Sequence, residues 1–201
     1  KFKWTAMYER HDIFKLSEDP GKIKAGSVLI SEPFTRDAYF KKSVVYLVEH
    51  NDFGSVGFIL NKPVKVSLSD MVKNFPDIET NVSIGGPVET NSVHFIHNLG
   101  TKIPDAKHIT GNIYWGGNFK KLIQLANLGL IENTRVKFFI GYSGWKPDQL
   151  TDEIKNNYWK ISNLKDDDIL GNDPRIWYNT VENLGEKFKL WLNVPENPAW
   201  N

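Results

Sequence analysis

A serine between glycines follows a long apolar run and raises the question of nucleophilic catalysis. Residues 138–150 read FFIGYSGWKPDQL, which predicts a buried strand, a glycine-flanked turn and the start of a helix. The G-x-S-x-G elbow of serine hydrolases places its nucleophile at this kind of turn. Gly141 precedes Ser143 at the right distance, but Trp145 stands where the elbow has its last glycine.

The order of residues along the chain argues against that nucleophile. A hydrolase with this elbow carries its acid and then its histidine after the serine. All five histidines precede Ser143, so this order cannot occur here. Another order on an unrelated fold stays open, but we interpret the segment as a structural turn that Gly141 and Gly144 permit.

The remaining histidines and carboxylates give one alternative acid/base site and no metal site. His50 follows Glu49 directly, and Glu89 lies in a later turn, so an acid/base hydrolase or transferase would use His50 with one of these two carboxylates. His94 and His97 are three apart on a predicted strand and therefore point to opposite faces. We predict neither a bound metal nor a cofactor.

Composition narrows the class of protein. Twenty-five basic and 24 acidic residues leave a net charge of +1, which disfavours direct nucleic-acid binding, since that depends on neutralising phosphates. The chain has no cysteine, so disulfides and thiolate chemistry are excluded. Its continuous apolar runs are far shorter than the roughly 20 residues of a membrane span. We expect a cytoplasmic protein without membrane contact.

Runs of β-branched and aromatic residues predict a sheet of mostly antiparallel strands. Tight turns join the runs, and the first hairpin turn is residues 51–54. The predicted strands are residues 27–31, 43–49, 55–60, 82–84, 92–97, 112–115, 135–141 and 187–193. Because these strands do not alternate regularly with helices, we predict the α+β class.

Four segments have the periodicity or the caps of helices. Ser67 and Asp70 fit a capping box of a short helix that ends before Pro76, and residues 119–127 repeat apolar side chains at helical spacing after Asn118 as N-cap. The other two begin at residues 147 and 174. Residues 1–24 predict an N-terminal arm, and residues 25–201 a single domain.

Several ordered motifs resemble those of the AlgH/YqgE family of bacterial proteins. They are SVVYLVEH with GSVGFILNKP, then GGPVET, then GYSGWKPDQLTDEI, closing with PAWN, and the match spans roughly residues 26–201. The resemblance implies an α+β fold with a strongly bent, barrel-like sheet packed with helices. The family is largely uncharacterised, and some members carry the label of transcriptional regulator.

The chain departs from the family pattern in three ways. Residues 146–148 replace glycines that are usual in the family, the family commonly has alanine where Ser143 stands, and cysteines of some members are missing. The alanine is incompatible with an essential nucleophile, and a redox role cannot transfer without cysteine.

Our leading hypothesis is a non-enzymatic binding or regulatory protein. Its site would combine the first hairpin, the G-G-P-V turn and the G-Y-S-G-W segment, because functional groups concentrate in turns on a rigid scaffold. The partner would be a small molecule or a protein of unknown identity, and the oligomeric state is open. The candidate binding residues are Asn61, Gly85, Gly86, Glu89, Tyr142, Trp145, Gln149 and Glu153.

Overall fold

One nine-stranded sheet forms the centre of the molecule. The computed structural model describes residues 23–35 and 37–194. The strands in this part of the chain are β1 (Val28–Ser31), β2 (Val44–Asn51), β3 (Gly54–Ile59), β4 (Asn81–Ile84), β5 (Val88–His97), β6 (Lys107–Thr110), β7 (Ile113–Trp115), β8 (Val136–Trp145) and β9 (Trp159–Ser162).

Helices cover the sheet. Within the described ranges they are α1 (Leu68–Met71), α2 (Phe119–Asn127), α3 (Gln149–Lys155), α4 (Asp166–Leu170), α5 (Ile176–Asn183) and α6 (Lys189–Leu192). The N-cap predicted for α2 is confirmed, because the Asn118 side chain accepts a hydrogen bond of 2.9 Å from the Lys121 N–H. The helices predicted from residues 147 and 174 are confirmed as α3 and α5.

The sheet is mostly antiparallel and open. Its order is β6-β7-β5-β8-β3-β2-β1-β9, with β4 added to β8 as its one parallel neighbour in the described part of the chain. The α+β class and the first hairpin are confirmed. The barrel-like, strongly bent sheet implied by the resemblance is wrong, because the end strands β6 and β9 do not pair with each other.

Alternating side chains of β2 and β3 build hydrophobic cores on both faces of the sheet. Tyr46 and Phe58 form one cross-strand pair and pack toward the segment of α4 to α6. Val45 and Ile59, one residue away on each strand, pack toward α3 on the other face. A third core lies between α1, α2 and the paired strands β4, β5 and β8. This two-sided burial explains why the first five residues of β2, 44–48, are all apolar.

The chain crosses over β8 between β4 and β5. Ile140 of β8 pairs with Ile84 on one edge and with Val93 on the other, so β4 and β5 lie on opposite edges of the same strand. The three residues 85–87 connect them. This short link has to pass directly across the backbone of β8.

Glycine makes the crossing possible. A Cβ at Gly86 would lie 2.3 Å from the Tyr142 carbonyl, and one at Gly85 would lie 2.2 Å from the Gly141 oxygen. Gly141 itself has φ +66°, and a Cβ added there would lie 2.6 Å from the Val88 carbonyl oxygen. The link and β8 therefore both need residues without a side chain where their backbones touch.

Two sequence predictions fail near the ends of elements. The strand predicted over residues 187–193 is helical, because Phe188 and Trp191 are both buried while Leu190 between them is exposed. Spacing of three fits a helical turn better than an alternating strand. Ser67 stands at the N-cap of α1 but its hydroxyl contacts Ser69 instead, so the capping box does not form.

The turn predicted around Ser143 is also wrong. Strand β8 continues to Trp145, because Ser143 and Trp145 pair with Gly57 and Ser55 of β3. Strands β6 and β9 were not predicted, since each is only four residues long. The predicted arm lies outside the described residues except for residues 23 and 24, and its boundary with the domain stays a prediction.

A buried lysine joins the sheet to the segment after α4. Lys137 of β8 is 1% exposed, and its ammonium group donates to the carbonyls of Leu60 and Gly171. Burial lowers the pKa of Lys137 to about 7, because the charged form loses its hydration.

We expect Gly85→Ala to lower the free energy of unfolding by about 3 kcal/mol or more, because its Cβ would overlap backbone that cannot move independently. Urea unfolding measures this. Gly144→Ala is the matched control, since the nearest atoms to its Cβ belong to side chains, the Tyr142 ring at 3.2 Å and Val88 at 3.8 Å. Equal losses in both variants would contradict a tight crossing.

Lys137→Met should change the pH dependence of stability. The folded pKa of about 7 lies below the usual 10.5, so the penalty for burying the charge is complete below pH 7 and fades as pH rises toward 10.5. The free energy of unfolding of the wild type should therefore rise relative to that of the variant. The difference between the two should change by about 3 kcal/mol in favour of the wild type from pH 6 to pH 9.5. Urea unfolding at both pH values tests this, with exposed Lys120→Met as control. A constant difference would contradict a depressed pKa.

Candidate functional site

A surface groove lies where the first hairpin meets the end of β8. Its volume is about 460 Å³, and we name it the hairpin groove. The hairpin contributes its turn, including Phe53, and the start of β3, including Val56. Volumes of roughly 300–1,000 Å³ are usual for small-molecule sites. The size therefore suits a small ligand.

The crossing supplies the other side of the groove. Val88, directly after the crossing link, contributes to the lining together with Tyr142 and Trp145 of β8 and the following Lys146. The ring of Tyr142 packs against the ring of His94 in a T-shaped contact, with centroids 5.7 Å apart. The pKa of His94 is lowered by burial, which favours its neutral form.

Phe53 is the most exposed large apolar side chain among the described residues. It stands in the hairpin turn with 91% of its surface exposed. The turn itself is fixed, because the Asn51 side chain accepts a hydrogen bond of 2.8 Å from the Phe53 N–H. An ordered turn thus presents an aromatic ring to solvent beside the groove.

A network of hydrogen bonds fixes Trp145. Its indole N–H donates to Glu153 Oε2 at 2.8 Å, and the indole of Trp159 donates to the same oxygen at 2.8 Å. Gln149 donates to Glu153 Oε1 at 2.9 Å and accepts from the Lys146 N–H at 3.0 Å. Glu153 and Gln149 therefore position the groove wall and do not belong to its lining.

Glu49 lines the groove but is held in an ion pair. Lys107 Nζ lies 2.6 Å from Glu49 Oε2, and Asn51 donates to the other oxygen at 3.1 Å. The hydrogen bond from Lys107 is the main cause that lowers the pKa of Glu49. This carboxylate is poorly placed to act as a base for a substrate.

His50 contacts a serine across the hairpin. His50 Nδ1 lies 2.7 Å from Ser55 Oγ, and Ser55 lines the groove although it is 4% exposed. Ser143 is fully buried, and its hydroxyl donates to the Gly85 carbonyl at 3.0 Å. The serine at the centre of the supposed elbow thus ties β8 to the crossing link.

Of the two remaining candidate residues, Asn61 stabilises the backbone through its side chain and Glu89 does not. Asn61 bridges to β2, accepting from the Val44 N–H at 2.9 Å and donating to the Lys42 carbonyl at 2.8 Å. Glu89 has φ +47° in an irregular start of β5, and its carbonyl accepts from the Ser92 hydroxyl. Neither side chain lines the hairpin groove.

The described residues contain no group of three or more histidine, aspartate or glutamate side chains that could hold a metal ion. The three aspartates at residues 166–168 open helix α4, where their charge suits the helix dipole. Asp166 accepts a hydrogen bond of 2.9 Å from the Asn112 N–H. None of the helices in the described ranges has the length and apolar character needed to span a bilayer.

The family profile described as AlgH-like, DUF179, matches residues 28–189. The chain belongs to the AlgH-like family. A UPF0301 protein of Parabacteroides distasonis is 42% identical over 97% of this chain and 100% of the relative, and one of Chlorobaculum parvum is 37% identical over 89% and 96%. The resemblance seen in the sequence is thereby confirmed.

Two solved structures share the fold of this AlgH-like protein. The AlgH protein of Pseudomonas aeruginosa, solved in solution, is 22% identical with a TM-score of 0.67 and covers 90% of this chain and 100% of its own. A Corynebacterium diphtheriae protein solved by X-ray crystallography is 18% identical with a TM-score of 0.73, covering 88% and 95%. At these identities the likeness shows the fold alone.

Sequence reasoning found part of the lining of the groove in this AlgH-like protein. Of the candidate binding residues, Tyr142 and Trp145 line it, while Gly85 and Gly86 form the crossing beside it. Phe53 was not among the candidate residues, although an aromatic residue in the otherwise polar turn N-D-F-G could have indicated a binding role. Lys146 was named only as a departure from the family pattern.

We expect Glu153→Gln to lower the free energy of unfolding by about 1–3 kcal/mol. Both carboxylate oxygens of Glu153 accept hydrogen bonds, and the NH₂ group that replaces one of them cannot accept. Urea unfolding followed by tryptophan fluorescence measures the change. Glu182→Gln on the exposed side of α5 makes the same chemical change elsewhere. No difference between the two variants would rule out a stabilising network at Trp145.

Proposed function

We propose that this AlgH-like protein is a non-enzymatic binding protein whose ligand occupies the hairpin groove. The observation that carries the proposal is the exposed ring of Phe53 beside an apolar lining that includes Val56 and Val88. Burying a phenylalanine side chain stabilises a complex by up to about 3 kcal/mol. A ligand that covers Phe53 would therefore gain much of its affinity there.

Hydrogen bonds that fix groups around the groove also support binding. Trp145 is held through Glu153, and the Phe53 N–H is held by Asn51. A site that is already ordered loses little conformational entropy when a ligand binds. The groove therefore has the rigidity that a binding site needs.

The proposal extends to regulation and location. The label of transcriptional regulator in the family would then reflect the binding of a ligand, with DNA affinity playing no direct part, since the net charge is only +1. The expected location remains the cytoplasm.

One contact favours a second candidate function. The pair formed by His50 and Ser55 at 2.7 Å could activate the serine for acyl transfer in a hydrolase or transferase. A nearby carboxylate would orient the histidine in such a site, but Glu49 is engaged by Lys107. The pair also fits a simple cross-strand hydrogen bond, and we rank this candidate second.

We expect Phe53→Ala to weaken binding of N-phenyl-1-naphthylamine, a neutral aromatic dye, by roughly tenfold, because the ring contributes apolar contact area. A fluorescence titration of the full chain measures the dissociation constant.

Phe34→Ala is the matched control for this titration, since Phe34 is 62% exposed and does not line the groove. Absence of dye binding, or equal affinity in both variants, would contradict the proposed site. Hydrolysis of p-nitrophenyl acetate that Ser55→Ala abolishes would instead support the second candidate function.

A further inference from the structure

The two charged side chains that line the described part of the hairpin groove are Glu49 and Lys146. They differ in whether a neighbour compensates their charge. Glu49 is paired with Lys107 at 2.6 Å and also receives a hydrogen bond from Asn51. Its negative charge is therefore largely compensated before any ligand arrives.

Lys146 has no such partner. Its side chain is exposed, and no described residue accepts a hydrogen bond or forms an ion pair with its ammonium group. The backbone N–H of Lys146 is fixed by the Gln149 side chain at 3.0 Å. A backbone held in place thus carries a free cation at the rim of the groove.

Because Lys107 already compensates Glu49, Lys146 carries the lining charge that no partner among the described residues offsets. This positive charge lies beside an apolar lining formed by Val56, Val88 and Tyr142. An anionic group placed near Lys146 would meet an uncompensated charge, whereas a cationic group there would be repelled. The groove therefore favours a ligand that has both an apolar part and a negatively charged group.

The size of the groove limits the ligand further. A volume of about 460 Å³ lies toward the lower end of the usual range for small-molecule sites. Such a volume suits one compact ring system with its substituents.

We propose that the ligand of the hairpin groove is a small amphipathic anion. Its aromatic or aliphatic body lies against Phe53 and Val56, and its acidic group lies near Lys146. This inference rests on the proposed function of the groove and adds the chemical class of the ligand.

A matched pair of dyes tests the charge. 8-Anilino-1-naphthalenesulfonate has the same ring body as N-phenyl-1-naphthylamine plus one sulfonate group. We expect the anionic dye to bind roughly two- to fivefold more tightly at low salt, which is the range for an exposed ion pair. Raising the salt concentration should remove most of this preference.

Substitutions locate the effect. Lys146→Met should abolish the preference for the anionic dye over the neutral one. Glu49→Gln should increase the preference, because it removes the lining carboxylate and frees Lys107. Lys120→Met, an exposed lysine of α2 outside the groove, is the matched control for Lys146→Met and should leave both affinities unchanged.

The outcomes separate the two proposals. If the neutral dye binds in a Phe53-dependent manner but the sulfonate adds nothing, the groove is a binding site and the anionic ligand class is wrong. If Lys120→Met reduces anionic binding as much as Lys146→Met does, the effect is general charge and this inference is again overturned. If neither dye binds, the proposed function fails together with it.

Discussion

Backbone contact between the residues 85–87 and strand β8 is the constraint on which the rest of the structure depends. The register of Ile140 places β4 and β5 on opposite edges of β8, so the chain has to pass over that strand. A Cβ at Gly85 would lie 2.2 Å, and one at Gly86 2.3 Å, from backbone atoms of β8, which is well inside van der Waals contact. Glycine is therefore required at this crossing by contact between two backbones.

The same crossing gives the hairpin groove its shape. Once the link has passed β8, Val88 emerges beside Tyr142, and the end of β8 pairs with the hairpin through Trp145 and Ser55. Glu153 then fixes Trp145 from the opposite side of the strand. The ordered motifs shared with the AlgH-like family thus include residues that hold the site in place, such as Gln149 and Glu153, as well as residues that line it.

Local patterns predicted most of the strands and the three longer helices of this chain. The α2 helix was predictable because Asn118 and the apolar spacing act within one segment. The turn at Ser143 was mispredicted because its glycines serve a contact with residues 85–88, which are distant in sequence. Helix α6 was mistaken for a strand because a short segment can satisfy both periodicities. At the site, the sequence correctly indicated the aromatic lining residues of β8. It could not show that Gln149 and Glu153 position Trp145, because that role depends on tertiary contacts.

The central claim is that a ligand binds between the Phe53 turn and the end of β8. A ¹H–¹⁵N NMR titration of the full chain with 8-anilino-1-naphthalenesulfonate tests it most directly. The account predicts shifts for the backbone amides of Gly54 and Gly144 and for the Trp145 indole, with α2 unaffected. Shifts confined to α2, or none at these three positions at saturating dye, would contradict it.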